Sequence, residues 1–428
     1  MPVLGAVLYS LLGIDTSYYG TYQPTEATPI LNFSNVFGGT PGVSSFPGYR
    51  RANQWNLKDP RVYQWNAAFE QNIGFQTLLR VSYTGSHAVD LIYSPDLNQV
   101  APNTASYTDP VTGATVYGYK ALVATPALRQ QNLKFPNFFE ILTRNDGPSD
   151  RYEALMVELN RRFARGLSFT NSYTLSFNKT NALGAAPNSA IGTGGQGDNG
   201  ANVNNIYDIT SQMGNAYYDP RNSFISTLVY DLPFGRGKTY LSGVSRGEDL
   251  LLGGWNVTGI TLLHSGLWET PYYPSSVYDA SGTDPSERSV KQQRPDCSGA
   301  SGYLPDPTTS AFFNVGAYGI PAHPVDAAGN AEPIGRFGNC GVGILEGPGT
   351  VTFSMSTGKT FHVTERYAIR YEAQFSNLFN LVNWGEPNMN ITGSFGQSSI
   401  SPELQADLTL RQHCHVRVLS CNCASAKF

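Results

Sequence analysis

The chain has 428 residues, enough for about two or three soluble domains or for one large barrel. Only 14% of residues are charged, 12% are aromatic and the net charge is −4, with no basic cluster, so nothing favours a nucleic-acid partner. Mean hydropathy is −0.26 and no apolar run is long enough for a spanning helix, which excludes a helical membrane protein and fits a β-barrel of the outer-membrane kind.

The first apolar segment, Val3 to Ile14, is broken by Gly5, Ser10 and Gly13, and no Lys or Arg precedes Arg50. It therefore makes no recognisable signal peptide. Residues 15–60 read as loop with one strand near the start. Then a hairpin begins. Trp65, Ala67 and Phe69 alternate with Gln64, Asn66 and Glu70, and after a turn at Gly74, Leu79, Val81 and Tyr83 alternate with Arg80, Ser82 and Thr84. A period of two with one apolar and one polar face is the mark of a strand. Residues 87–150 have weak pattern and read as a long loop.

A second hairpin follows. Leu155, Val157 and Leu159 oppose Met156, Glu158 and Asn160, and Ala164-Arg165-Gly166 forms the turn. Beyond it Leu167, Phe169, Tyr173, Leu175 and Phe177 face away from an unbroken polar row, Ser168, Thr170, Ser172, Thr174 and Ser176. Residues 179–221 form another long loop. The third pair is Phe224–Tyr230 with Trp255–Leu267, and residues 269–349 make the longest loop. The fourth is Val351–Phe361 with Tyr367–Phe379. In its second strand Tyr367, Ile369, Tyr371, Ala373 and Phe375 oppose Arg370, Glu372 and Gln374, and the strand runs on toward Phe379 and Trp384, aromatics of the kind found at membrane interfaces. A half-strand, Leu404–Leu410, ends the readable pattern.

The connections run short, long, short, long, medium, long, short. Long loops at one end and short turns at the other are the layout of an up-and-down outer-membrane barrel, whereas loops of this length are uncommon inside a compact soluble domain. The expected fold is all-β: an antiparallel transmembrane barrel, partial, with about 8–12 strands and long extracellular loops. Its partners would be outer-membrane lipid and the barrel assembly machinery.

Several runs resemble the C-terminal barrel of TonB-dependent receptors of the carboxypeptidase-regulatory-like (Oar-like) type. They are DPRVYQWNAAFEQNI and DLNQ within Asp59–Gln99, RRFARGLSFTNSYTLSFNKT at Arg161–Thr180 and YDPRNSFISTLVYDLPFGRGK at Tyr218–Lys238. LLGGWNVTGITLLHSG at Leu251–Gly266, FGNCGVGILEGPG at Phe337–Gly349 and YEAQFSNLFNLVNWGEPN at Tyr371–Asn388 complete the set. The resemblance implies a barrel of about 22 strands with a plugged lumen and uptake driven by the TonB energising complex. Against that pattern, a TonB box and plug are missing, and residues 1–60 read as an incomplete upstream strand and loop. Residues 61–410 read as the C-terminal part of the barrel. Residues 411–428 read as an aberrant, disordered tail. The expectation is a gene fragment, truncated at its start and frameshifted near Arg411, in which TonB coupling belongs only to intact relatives. The alternative is a secreted or surface-attached β-rich adhesin without transport.

Chemistry is sparse. Gly237-Lys238-Thr239 and Gly358-Lys359-Thr360 end like phosphate loops, but Leu232 and Phe353 stand where the first glycine is required, so both read as strand-end turns. His413, Cys414, His415, Cys421 and Cys423 lie in the tail and are read as out of frame, not as metal ligands. His87, His264, His323 and His362 sit singly at strand ends or in loops. No Ser elbow, HExxH or carboxylate pair stands out, so no enzyme, cofactor or metal is expected. Cys297 and Cys340 are either a disulfide, as an oxidising compartment allows, or two free thiols. Arg80, Glu158, Arg370 and Glu372 are the candidate lumen-facing charges. The ligand cannot be read.

Overall fold

The computed structural model describes residues 50–398 apart from residues 94, 137, 139–140, 183–204, 284–291 and 363–367. The expected half-strand Leu404–Leu410, the tail 411–428 and the segment before residue 50 lie outside the described residues. The main sheet has nine strands, eight of them forming one consecutive antiparallel path. We number these β1 (Arg61–Gly74), β2 (Thr77–Val89), β3 (Asp150–Ala164), β4 (Leu167–Thr180), β5 (Asn222–Asp231), β6 (Trp255–His264), β7 (Thr350–His362) and β8 (Ala368–Phe375). The ninth, Gly214–Asn215, is a short addition on β4. Among the described residues β1 and β8 do not pair, so the path stays open.

Each strand pairs with its neighbours in sequence, and the turns explain the register. Phe75 and Gln76 between β1 and β2 both have positive φ, 50° and 60°. So do Arg165 and Gly166 between β3 and β4, at 51° and 83°. Two successive left-handed residues give the type I′ geometry whose twist matches that of the flanking strands. Gly166 takes its place without penalty. The other three non-glycine residues are held there by the long ladders on either side.

Followed across the sheet, the register places Trp65, Phe69, Leu79, Val81, Leu155, Leu175, Phe353 and Phe375 on a single face. Many of its large side chains are exposed, among them Phe69 at 61% and Phe177 at 50%. In water that would be costly; against lipid it is the expected outward surface. Asn171 and Ser226 also point this way, and Ser226 Oγ donates to Asn171 Oδ1 at 2.6 Å, so neither is left bare. Ser82, Ala154, Ser176 and Thr180 lie on the opposite face and are buried.

All three long connections, 90–149, 181–221 and 265–349, leave from one end of the sheet, and residues 376–398 join them there. Together they form a cap, and among the described residues the cap holds most of the buried apolar side chains. Phe313, Leu345, Met389 and Phe395 form one cluster. Tyr273, Tyr278 and Ala280 form another, and Val100, Tyr119 and Leu133 a third. Residues 87–150, expected to be loop, contain Ile141–Asp146, which pairs in parallel with Arg50–Asn53, and a helix at Pro126–Asn132 capped by Thr125. Arg50–Asn53 thus belongs to the cap, and the strand expected near the start of residues 15–60 lies outside the described residues.

Two strands end sooner than expected. β6 ends at His264 rather than Leu267, because Asn222 N–H donates to the Ser265 hydroxyl at 3.1 Å in place of its carbonyl and the chain then turns into the cap. β8 ends at Phe375, because Asn377 is left-handed at φ 45° and its side chain bonds Leu381 at both N–H and C=O. Trp384 therefore does not extend the strand; it lies 5.7 Å from Phe312 in the cap.

Candidate functional site

Two places could carry function: the polar face of the sheet and the cap at its end. On the polar face, Glu70, Arg80 and Glu158 lie directly opposite one another on β1, β2 and β3. Arg80 Nε is 3.5 Å from Glu70 Oε1, and Arg80 Nη1 is 3.6 Å from Glu158 Oε2. The structure thus joins two of the sequence-derived charges and adds Glu70, whose alternation with Trp65 and Phe69 already assigned it to this side. Arg370 and Glu372 form their own pair on β8, at 3.4 Å. The two groups stand at opposite edges of the path and do not meet. All these side chains keep substantial solvent contact, so each pair contributes little stability. Their shared face is the informative feature, together with the hydroxyl pair Thr258 and Ser356 at 2.5 Å beside them.

The cap is interlocked by bonds between segments far apart in sequence. Tyr117 donates to Asp326 Oδ2 at 2.9 Å. Asn103 Nδ2 donates to Gly282 O at 2.7 Å, Arg294 Nη1 to Gln212 Oε1 at 2.6 Å, and Asn215 Nδ2 to Gly343 O at 2.7 Å. Cys297 and Cys340 are joined, with Cα atoms 5.1 Å apart and a sequence separation of 43. Neighbours buttress that bond. Arg336 holds Asp296 in a two-pronged pair at 2.8 and 2.7 Å, and Cys297 N–H donates to Asn339 Oδ1 at 2.7 Å. The Arg336 hydrogen bond keeps the Asp296 carboxyl below its ordinary range. Burial pushes the Tyr278 and Tyr318 hydroxyls up to about 12, and raises Tyr273 as well. His323 stacks on Tyr278 at 3.9 Å and His264 Nδ1 lies 2.8 Å from Ser265 O, both structural placements. Among the described residues no group of three His, Cys, Asp or Glu side chains is arranged to hold a metal.

Aromatics mark both ends of the apolar face. Trp255 packs edge-on to Tyr371 at 6.0 Å near the short turns. Near the cap are Tyr63, Trp65, Phe177 and Trp268. Trp65 spreads over Gly85 on the next strand, leaving no room there for a Cβ. Two aromatic belts bounding an apolar face, polar side chains opposite, short turns at one end and long loops at the other together define the wall of a membrane-spanning β-barrel.

The family model described as "Outer membrane beta barrel domain" matches residues 9–412. The chain belongs to that family, and its setting is the outer membrane. No curated protein sequence matches it. Among solved structures it is similar to the outer membrane transporter YddB from Escherichia coli, at 9% identity and a TM-score of 0.36 over 81% of this chain and 32% of that one. It is also similar to the pyoverdine receptor FpvA from Pseudomonas aeruginosa, at 9% and 0.32 over 81% and 28%. The siderophore receptor PirA from Acinetobacter baumannii gives 11% and 0.33, over 81% and 31%. The chain spans about a third or less of the length of these proteins.

Proposed function

We propose that the chain is barrel wall and outer cap of a TonB-dependent receptor, which captures a ligand at the cap and imports it across the outer membrane. The observation that carries this reading is the interlocked cap, with its own apolar clusters and disulfide, at the end of a sheet whose one face is polar and whose other is aromatic. Connections that served only to join strands would have no need of a folded interior. The resemblance of six sequence runs to Oar-like receptors supports the same reading. Glu70, Arg80, Glu158, Arg370 and Glu372 then face the lumen, where they meet water or a plug. Energy comes from the TonB complex, and insertion depends on the barrel assembly machinery.

Deletion of the gene in its host should abolish accumulation of at least one solute too large for general diffusion pores. Removing the energising complex from the parent strain should abolish uptake of the same solute. Unchanged uptake of every solute tested, with lost attachment to a surface, would favour the adhesin reading instead.

A further inference from the structure

We infer that the outer rim of the aromatic face is a binding site for the phosphate groups of anionic lipids in the outer leaflet, built on Lys179 and Arg221. The inference rests on the outer-membrane reading and gives a specific ligand to a surface otherwise described only as apolar wall.

The register sets the geometry. His87, Arg151 and Lys179 stand directly opposite one another on β2, β3 and β4, and Tyr63 extends the row onto β1. This row shares a face with Trp65 and Phe177 and occupies the next same-facing position toward the cap. Cationic side chains thus begin where the apolar wall ends. Arg221 adds a further charge, its guanidinium 5.1 Å from the centre of Phe177 and 4.7 Å from that of Trp268.

Partners separate structural cations from available ones. Lys58 and Arg61 share Asp90, and Arg151 pairs with Glu153 at 2.6 Å. Among the described residues, neither the exposed Lys179 ammonium nor the Arg221 guanidinium has a carboxylate or hydrogen-bond acceptor. A guanidinium packed against two rings can still present its N–H edge, and that fork matches two phosphate oxygens. The short-turn end shows the contrast. There Lys359 lies over Trp255 and Phe361, at 5.4 and 5.1 Å, but is 3% exposed and donates to Asp249 O at 3.4 Å. That cation is used within the protein.

Position selects the source of the phosphate. Belt aromatics sit at headgroup level, and a basic cluster at that level attracts anionic lipid. Lys179 and Arg221 belong to the wall and its rim, where a lipid headgroup can reach them.

The test is lipid retention by the full chain extracted from outer membranes in mild detergent, read by phosphorus assay and mass spectrometry. The Lys179→Gln/Arg221→Gln double variant should retain roughly tenfold less phosphate-bearing lipid than wild type. Arg165→Gln, an exposed cation in the β3–β4 turn at the far end, should retain the wild-type amount. Washing wild type with millimolar inorganic phosphate should leave the lipid bound. Wild-type retention by the double variant, an equal loss in Arg165→Gln, or full displacement by free phosphate would each overturn the inference. If the double variant lacks the heat-modifiable migration of a folded barrel, Lys179→Glu alone is read in the same way, because that side chain is exposed and, among the described residues, unpartnered. Absence of wild type from the outer-membrane fraction would overturn the barrel reading too, whereas presence there with unchanged retention overturns only the lipid site.

Discussion

The sheet and the cap solve opposite problems with one chain. In the sheet the large side chains are outside and the buried ones, Lys359 apart, are small: Phe69 and Leu155 are exposed while Ser82 and Ala154 are covered. In the cap the order is that of a soluble protein, with Phe313, Tyr273 and Leu345 almost fully enclosed. The sheet is held by ladder hydrogen bonds, and lipid completes its apolar contacts. The cap, in water, must enclose its own apolar groups and staple its loops with Asx turns, ion pairs and a disulfide. One consequence is that identical substitutions should have different costs in the two regions.

The largest effect should come from the cap interior. Phe313→Ala should cost the cap about 3–5 kcal/mol, seen as rapid protease cleavage within residues 265–349 while heat-modifiable migration of the barrel persists. Loss of both together would mean that cap and sheet form one cooperative unit.

On the sheet, Leu155→Arg should cost about 2–4 kcal/mol in a bilayer, although an exposed leucine in water would tolerate the change. Denaturant unfolding from lipid vesicles measures it. A negligible cost would argue that this face does not meet lipid. The corresponding change on the other face, Ser82→Arg, would then be the damaging one.

Replacing both cysteines, Cys297→Ser with Cys340→Ser, should cost the cap about 2–4 kcal/mol, again with barrel migration unchanged. Thiol labelling of wild type with and without reductant checks that the bond is present in the cell.

The smallest effects are those of pH, and they too should stay in the cap. Tyr278, whose hydroxyl donates to Glu332 O at 3.0 Å, is raised from 10.0 to about 12 in the folded chain. A raised group lends stability that is complete below its unfolded value and is lost as pH climbs through the folded one. Cap protection against protease should therefore fade between pH 10.0 and about 12. Asp296 works in the reverse sense. Its depressed carboxyl contributes above the ordinary carboxylate range, and the contribution is lost as acid protonates it below that range. Asp296→Asn should remove the acid-side loss; an unchanged acid profile would discount the Arg336 pair.

Much of the sheet was legible because a period of two survives in every strand. Leu155, Val157 and Leu159 predict their own face without knowledge of the partner, and the alternation of short and long gaps predicts which ends meet. The strand ends beyond Ser265 and Ser376 are not legible, since what stops them is a side chain in each case: the Ser265 hydroxyl taking Asn222 N–H for one, the Asn377 side-chain turn for the other. The cap was nearly illegible. Tyr273 and Gln293 pair in strands of two residues each, too short to carry a period. Val100, Tyr119 and Leu133 come together from an irregular segment whose pattern names no face. Of the candidate charges, Arg80 and Glu158 were legible as same-facing, but their joint pairing with Glu70 needed the register.

The interlocking of the cap also sets a timetable. Hairpins such as β1–β2 and β3–β4 close contacts between near neighbours, and each can form as soon as its own residues arrive. The bond from Asn103 to Gly282 spans 179 residues and that from Tyr117 to Asp326 spans 209, so neither can form until most of the chain is in place. Contacts that distant are slow to find, and Tyr272 needs Met389, beyond the last described strand, to complete its backbone pairing. The wall can therefore be assembled before its lid exists. During that interval the segments destined for the cap are exposed chain, open to any protease at the cell surface.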